Sequence, residues 1–233
     1  MMKIIPSLVV FDLDDTMYDY EFCHGFAKAA LIDYLSEMYG ISRRELSKSY
    51  ETSRKLVKKR IQGASSHSRH VYVSELIQGR GIKPDPRVLV EAAERYWSEF
   101  LTHMTLSQGL SEFLTELRFL KIPIALVTDL TLEIQHRKLI HLGVDSFFDV
   151  IVASEETHLD KNSGKPFDLL IQRLRNKKLE LVWFIGDKEF DFPETFPSEN
   201  SRFIISPFSR MKETSKYEKI RDFRNLVSEI RKY

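Results

Sequence analysis

The chain has 233 residues, of which 42% are hydrophobic and 30% charged, and its net charge is +1. That composition suits one full core with a smaller attached domain, and it excludes a disordered chain. Near-neutrality gives no field for nucleic acid or an anionic membrane, and the single Cys23 can form no internal disulfide, so a cytoplasmic protein is expected.

In chain order, the first element is an apolar run at 4–11, read as a strand. It is too short, and too broken by Pro6, for a signal or a membrane span, and no later stretch has the length of a span. The run passes directly into "DLDDT", so that Asp12, Asp14, Asp15 and Thr16 crowd one strand end, with Asp19 just beyond.

Residues 17–105 carry helical patterns and no convincing strand, which marks them as a helical insertion. Asp85 before Pro86 is a helix start, and Leu89, Ala92, Ala93, Tyr96 and Phe100 then share one face. The basic run Arg54, Lys55, Lys58, Lys59 and Arg60 reads as a solvated helix face. "ASSHSRHVYVSEL" groups His67, Arg69, His70 and Tyr72 at a helix start, with Arg69 and His70 as candidate contacts to a substrate's leaving group.

From 106 onward strands and helices alternate. Leu110, Phe113, Leu114, Leu117 and Leu120 form a helix stripe, and "IPIALVTD" (122–129) follows as a buried strand. "TLEIQHRKLIHLG" is a helix stopped by Gly143. Further strands are expected at 148–156, 181–187 and 202–206, and a closing helix at 216–233. Such alternation indicates a parallel sheet covered on both faces, an α/β fold.

Ligands of such sheets bind beyond the carboxyl ends of the strands. Those ends supply Asp12, Asp14, Thr128, Asp129, Asp187 and Asp191, with Lys165 before a helix begun at Pro166. Carboxylates at that density call for a divalent cation, and an all-oxygen donor set favours Mg²⁺. Zinc is disfavoured, because the seven histidines make no H-x-H or H-E-x-x-H pair and one cysteine cannot complete a thiolate site.

In this order the motifs resemble those of the haloacid dehalogenase-like hydrolases: "DLDDT", then Thr128, then "GKP" with Lys165, then "GDKEFD". The resemblance implies a Rossmann-like core, 1–16 and 106–233, with a helical cap, 17–105, inserted after the first motif. It implies that Asp12 is the nucleophile and forms an aspartyl-phosphate, while Asp14 is the general acid and base. Mg²⁺ would be held by Asp12, Asp187 and the backbone carbonyl of Asp14, with Asp191 orienting the metal shell. Thr128 and Lys165 would grip the transferred phosphoryl group. The dehalogenases of the family replace the second aspartate, so Asp14 favours phosphate chemistry.

The chain departs from the family pattern at Asp129, Lys188 and Phe190, and Lys188 is expected to offset Asp129. The expected activity is Mg²⁺-dependent hydrolysis of a small phosphorylated metabolite, a sugar phosphate or nucleotide. Two rivals are a phosphomutase of the same family and a lapsed binding protein of this fold. A bisphosphate requirement would mark the mutase, and absence of phosphate release the binder.

Overall fold

Six short, largely apolar strands build a single parallel sheet in the computed structural model, which describes residues 5–175 and 178–232. Ile4 and Tyr233, the outer ends of two expected elements, lie outside the described residues. The strands are β1 (Leu8–Phe11), β2 (Ile124–Thr128), β3 (Val150–Ala153), β4 (Leu181–Gly186), β5 (Asn200–Ile205) and β6 (Tyr217–Lys219). Their spatial order is β3-β2-β1-β4-β5-β6, every pairing parallel.

The register sets Phe11 of β1 level with Leu126 of β2 on one side and Ile185 of β4 on the other. Strand order reverses at this point, because β2 and β3 build outward from one edge of β1 and β4 to β6 from the other. The reversal leaves a crevice beyond the carboxyl ends of β1, β2 and β4, where ligands bind in open α/β sheets.

Alternation along the central strands sends side chains to both faces, and each face is covered. Val10, Val127 and Phe184 pack with Phe167 and Leu170 on one side. On the other, the Phe11 ring meets Phe113 and Phe223, and Phe113 stacks on Trp183. Burying each such side chain contributes about 1.5–3 kcal/mol, which fixes the strand ends that carry the site. The covering helices are α5 (Leu110–Phe119), α6 (Leu132–Leu142), α7 (Lys165–Arg173) and α8 (Arg224–Ile230), numbered after the four helices of the insertion. Gly143 takes the left-handed conformation, φ 67°, that ends α6 where the glycine was expected to stop it.

The C-terminal segment departs from expectation. A single helix was expected from 216, whereas 217–219 form β6 and the helix starts only at Arg224. The apolar stripe there is real, since Tyr217, Ile220, Phe223, Val227 and Ile230 are all buried. Its first part satisfies the free edge of β5, with Phe203 opposite Tyr217 and Ile205 opposite Lys219. The turn follows at Asp222, whose carboxylate accepts from the Arg224 amide at 2.9 Å. Backbone demand at a sheet edge outweighed helical spacing over three residues.

Contacts divide the chain into two compact units, residues 1–19 with 105–233, and residues 20–104. The second unit is purely helical: α1 (Tyr20–Tyr39), α2 (Arg43–Arg60), α3 (Arg69–Gln78) and α4 (Pro86–Thr102). Asp85 caps α4 through the Arg87 amide at 2.9 Å, ahead of Pro86 in the first turn. Leu31, Leu35, Leu46, Tyr50, Leu76, Ala92, Tyr96 and Phe100 form its core. Lys55, Lys58, Lys59 and Arg60 are exposed on α2, as a solvated face requires, and Cys23 is a buried thiol donating to the His103 carbonyl at 3.4 Å. Among the described residues no helix is long and apolar enough to cross a membrane.

His24 shares a 2.7 Å hydrogen bond with the Tyr96 hydroxyl inside this unit. Burial, with the nearby Arg69 charge, lowers its pKa to about 4. The unfolded chain, with histidine near 6.5, therefore binds more protons between those values, and stability falls as pH drops through that window. We expect about 2 kcal/mol to be lost through His24 between pH 8 and pH 5. Thermal unfolding of wild type and His24→Gln across that range should show the steeper pH slope in wild type; parallel slopes would remove His24 as the cause.

Candidate active site

The first carboxylate is placed by the sheet. Phe11 ends β1, and the Asp12 amide continues the ladder by donating to the Ile185 carbonyl at 2.9 Å. The Asp12 side chain is thereby fixed at the crevice floor, 5% exposed, and its Oδ2 accepts from the Thr16 hydroxyl at 2.9 Å. Asp15 takes a positive φ of 60°, which turns the chain back on itself, and its carbonyl accepts from Ser206 at 2.6 Å.

The β4 end supplies the other acids. Asp187 and Asp191 are both buried and, with Asp12, present three carboxylate oxygens within 4.8 Å of one another. Asp191 closes a tight loop, its Oδ2 accepting from the amides of Asp187 and Lys188 at 2.9 and 2.8 Å. Gly186 makes that loop possible, because a Cβ there would collide with the Asp191 side chain.

A lysine bridges the acids, and it is Lys161. Its ammonium donates to Asp12 Oδ1 and to Asp191 Oδ1 and is 4% exposed. Lys161 begins a short 3₁₀ turn, and its amide is held by Asp129 Oδ1 at 2.9 Å. The expected lysine, Lys165, lies elsewhere. Gly164, at φ 77°, starts α7, so Lys165 falls in the first helical turn and pairs with Asp168 at 3.2 Å, its side chain 59% exposed. The "GKP" signal marked the helix start, and the lysine that meets the acids stands four residues before Lys165.

The electrostatics show an excess of negative charge. Burial raises the Asp12 carboxyl well above the usual range; Lys161 opposes this, and repulsion from Asp191 and Asp187 adds to it. Burial and then Asp191 push Asp187 up to about 7, against the pull of Lys188 and Lys161. Burial would lower Lys161, but Asp12, Asp191 and Asp129 together raise it well above the ordinary lysine value. Two ammoniums, Lys161 and the Lys188 that pairs with Asp187, therefore leave three carboxylates under-compensated. A divalent cation with hard oxygen ligands fits that donor set.

Asp14 stands in a different environment. Its Oδ1 accepts from Lys138 Nζ at 2.7 Å and from the Tyr18 hydroxyl at 2.5 Å, and its Oδ2 accepts from the same ammonium at 3.0 Å. Burial raises its carboxyl, but the Lys138 charge and these hydrogen bonds outweigh burial and the net shift is downward. Two aspartates two residues apart thus carry opposite shifts.

Thr128 ends β2, fully buried, and its hydroxyl accepts from Gln135 Nε2 at 2.5 Å and donates to the Asp129 carbonyl at 3.3 Å. Lys188 pairs with Asp187 at 3.1 Å, and Asp129 Oδ1 accepts from the Lys161 amide. Phe190 is 38% exposed, with Lys161 and Lys188 near its ring.

The chain belongs to the haloacid dehalogenase-like hydrolases. The model of that family matches residues 6–193, from the first strand through the Asp191 loop. A ribulose-1,5-bisphosphate 5-phosphatase of Halopiger xanaduensis is 34% identical over 189 residues, 80% of this chain and 79% of that protein. A glyceraldehyde 3-phosphate phosphatase of Methanopyrus kandleri is 29% identical, over 77% and 75% of the two chains. Among solved structures, the HAD-hydrolase YfnB of Bacillus subtilis, bound to magnesium, superposes with a TM-score of 0.66. It is 20% identical and the match covers 97% of this chain and 99% of that one, a likeness of fold. This hydrolase therefore has the family's parallel core with a helical insertion after β1.

Within the helical unit, Arg69 and His70 diverge in surroundings. Arg69 is buried and donates to the His67 carbonyl at 2.6 Å and to the Tyr20 and Tyr96 hydroxyls, both at 2.8 Å. Its guanidinium also faces the Tyr96 and Trp97 rings at 4.4 and 4.9 Å, the surroundings of a strut between helices. His70 is exposed beside Pro86 and Val90.

Sequence reasoning missed Lys161, Lys138 and Gln135. For Lys161 the signal was the first lysine of "LDKNSGKP". For the other two it was position: Ile134, Gln135, Lys138 and Leu139 form the buried stripe of α6, so a charge and an amide occupy places where a purely structural helix carries apolar side chains.

Proposed function

We propose that this hydrolase is a Mg²⁺-dependent phosphatase of small sugar phosphates that works through a phosphorylated Asp12. One observation carries the reading: a buried carboxylate at the switch point, bridged by Lys161 to Asp191, with Asp14 two residues on held by a separate cation. The named activities of the Halopiger and Methanopyrus relatives support phosphate esters of small sugars as the substrate class.

Asp12, Asp187 and the Asp14 backbone carbonyl would hold the metal, with Asp191 keeping the loop shaped. When bound, Mg²⁺ neutralises charge on the phosphoryl oxygens and on the carboxylates. In the first step an Asp12 oxygen attacks phosphorus and the bond from phosphorus to the leaving oxygen breaks, with Asp14 passing a proton to that oxygen. In the second step water attacks the same phosphorus, its proton goes to Asp14, and the bond to Asp12 breaks to release phosphate. Asp14 rests ionised in the free protein, the form that takes a proton from water; its acid role needs a proton delivered with the substrate.

Lys161 and the Thr128 hydroxyl are the groups available to hold the transferred phosphoryl, a reaction that depends on positioning and charge. Lys165, Arg69 and His70 do not enter the proposed chemistry.

The test is phosphate release from a panel of triose, pentose and hexose phosphates, with Mg²⁺ and after chelation. We expect turnover on a subset, its loss with EDTA, its return with Mg²⁺, and poor support by Ca²⁺, whose larger and looser shell misplaces the reacting groups. Full activity after exhaustive chelation would exclude the mechanism. Transfer of the phosphoryl group back to a sugar would indicate a mutase.

A further inference from the structure

We infer that Lys138 is a positioning residue for Asp14, holding its carboxylate in one orientation for the hydrolysis of the aspartyl-phosphate; this rests on the proposed function. The argument begins with location. Lys138 lies midway along α6 and its side chain is fully buried, although lysine is seldom buried without a specific partner. Removing an ammonium from water is costly, and a helix needing only to pack would carry Leu or Met there. The cost is met at Asp14, where one ammonium engages both carboxylate oxygens, at 2.7 and 3.0 Å.

A second contact locks the same group. Tyr18 is fully buried, donates to Asp14 Oδ1 at 2.5 Å, and forms a backbone bridge with Asp14. Oδ1 thus receives two short hydrogen bonds and Oδ2 the longer one. Rotating the carboxylate would break all three, so its plane is set before substrate arrives. The arrangement leaves Oδ2 as the oxygen with the greater spare capacity for exchanging a proton. Fixing a catalytic carboxylate through packed neighbours is what preorganisation requires.

Lys138 engages both oxygens of Asp14 and, in this reading, does not act on the phosphoryl group directly. Its effect therefore passes through Asp14, and a double-mutant cycle can show that. We expect Lys138→Met to lower kcat about 10- to 100-fold, part of the 10²- to 10⁴-fold typical of acid–base assistance. KM should stay within about 2-fold, and the trapped phosphoenzyme fraction should rise. In an Asp14→Asn background, Lys138→Met should cost no more than about 2-fold further. Multiplying losses, or near-wild-type turnover of the single variant, would overturn the inference.

Should Lys138→Met not fold, Tyr18→Phe and Lys138→Arg carry the test, each expected to raise the phosphoenzyme fraction with a smaller drop in kcat. An unchanged fraction in both would overturn it. The two readings fail differently: no phosphoenzyme in wild type or Asp14→Asn defeats the aspartyl-phosphate mechanism. A phosphoenzyme whose lifetime is indifferent to Lys138 and Tyr18 defeats only the positioning role.

Discussion

Asp12→Asn is expected to abolish phosphoenzyme formation and turnover together, the largest single loss this site can show. The amide is nearly isosteric, so the Asp12 backbone bond to Ile185 and the strand end stay in place. What disappears is the proposed nucleophile and one of the three clustered carboxylate charges. A neutral amide neither attacks phosphorus nor pairs with the Lys161 ammonium. Asp14→Asn should behave otherwise. With a good leaving group such as a nitrophenolate, Asp12 can still be phosphorylated, but the base for water is gone, so the phosphoenzyme accumulates and turnover falls about 10²- to 10⁴-fold. Intact-mass analysis of quenched reactions separates the cases. A phosphate adduct on Asp12→Asn located to another residue would overturn the assignment, as would near-wild-type turnover by Asp14→Asn.

The fold was legible because its strands are nearly continuous apolar runs between amphipathic helices, a pattern dictated by burial on both faces of the sheet. The central strands β1, β2 and β4 sit where those runs fall; Asp12 and Asp187 follow β1 and β4 directly, and Thr128 is the last residue of β2. Legibility ended where a local pattern competed with a long-range demand. The stripe from Tyr217 to Ile230 has helical spacing throughout, yet its first residues pair with β5, and no local signal records that an edge two strands from β1 needs covering.

The site shows the same division. Carboxylates at strand ends are visible because strand and residue are adjacent in sequence. The cations that balance them come from distant segments, Lys138 being 124 residues from Asp14 and Lys161 being 149 from Asp12. Their pairing is a property of topology. Lys138 was hidden further by lying within a helix whose apolar neighbours alone were enough to explain it.

The two lysines of "LDKNSGKP" provide the second large effect. Lys161→Met should cost about 10²- to 10³-fold in kcat/KM, the range for removing one fixed group that stabilises transition-state charge. Lys165→Met should stay within about 2-fold, because an exposed pair with Asp168 contributes little. The contrast is sharp because both residues are lysines in one short segment, so nonspecific loss of positive charge would affect both alike. A second readout follows from the charge balance. With Lys161 gone, Asp12 and Asp191 lose their shared ammonium while Asp187 keeps Lys188, and a divalent cation becomes the main compensation for Asp12 and Asp191. Added Mg²⁺ should therefore raise the Tm of Lys161→Met more than that of wild type, since binding to the folded state alone stabilises it. Equal losses in the two variants, or a larger loss at Lys165, would return the phosphate-binding role to the helix start and show that Lys161 serves only to hold the loop.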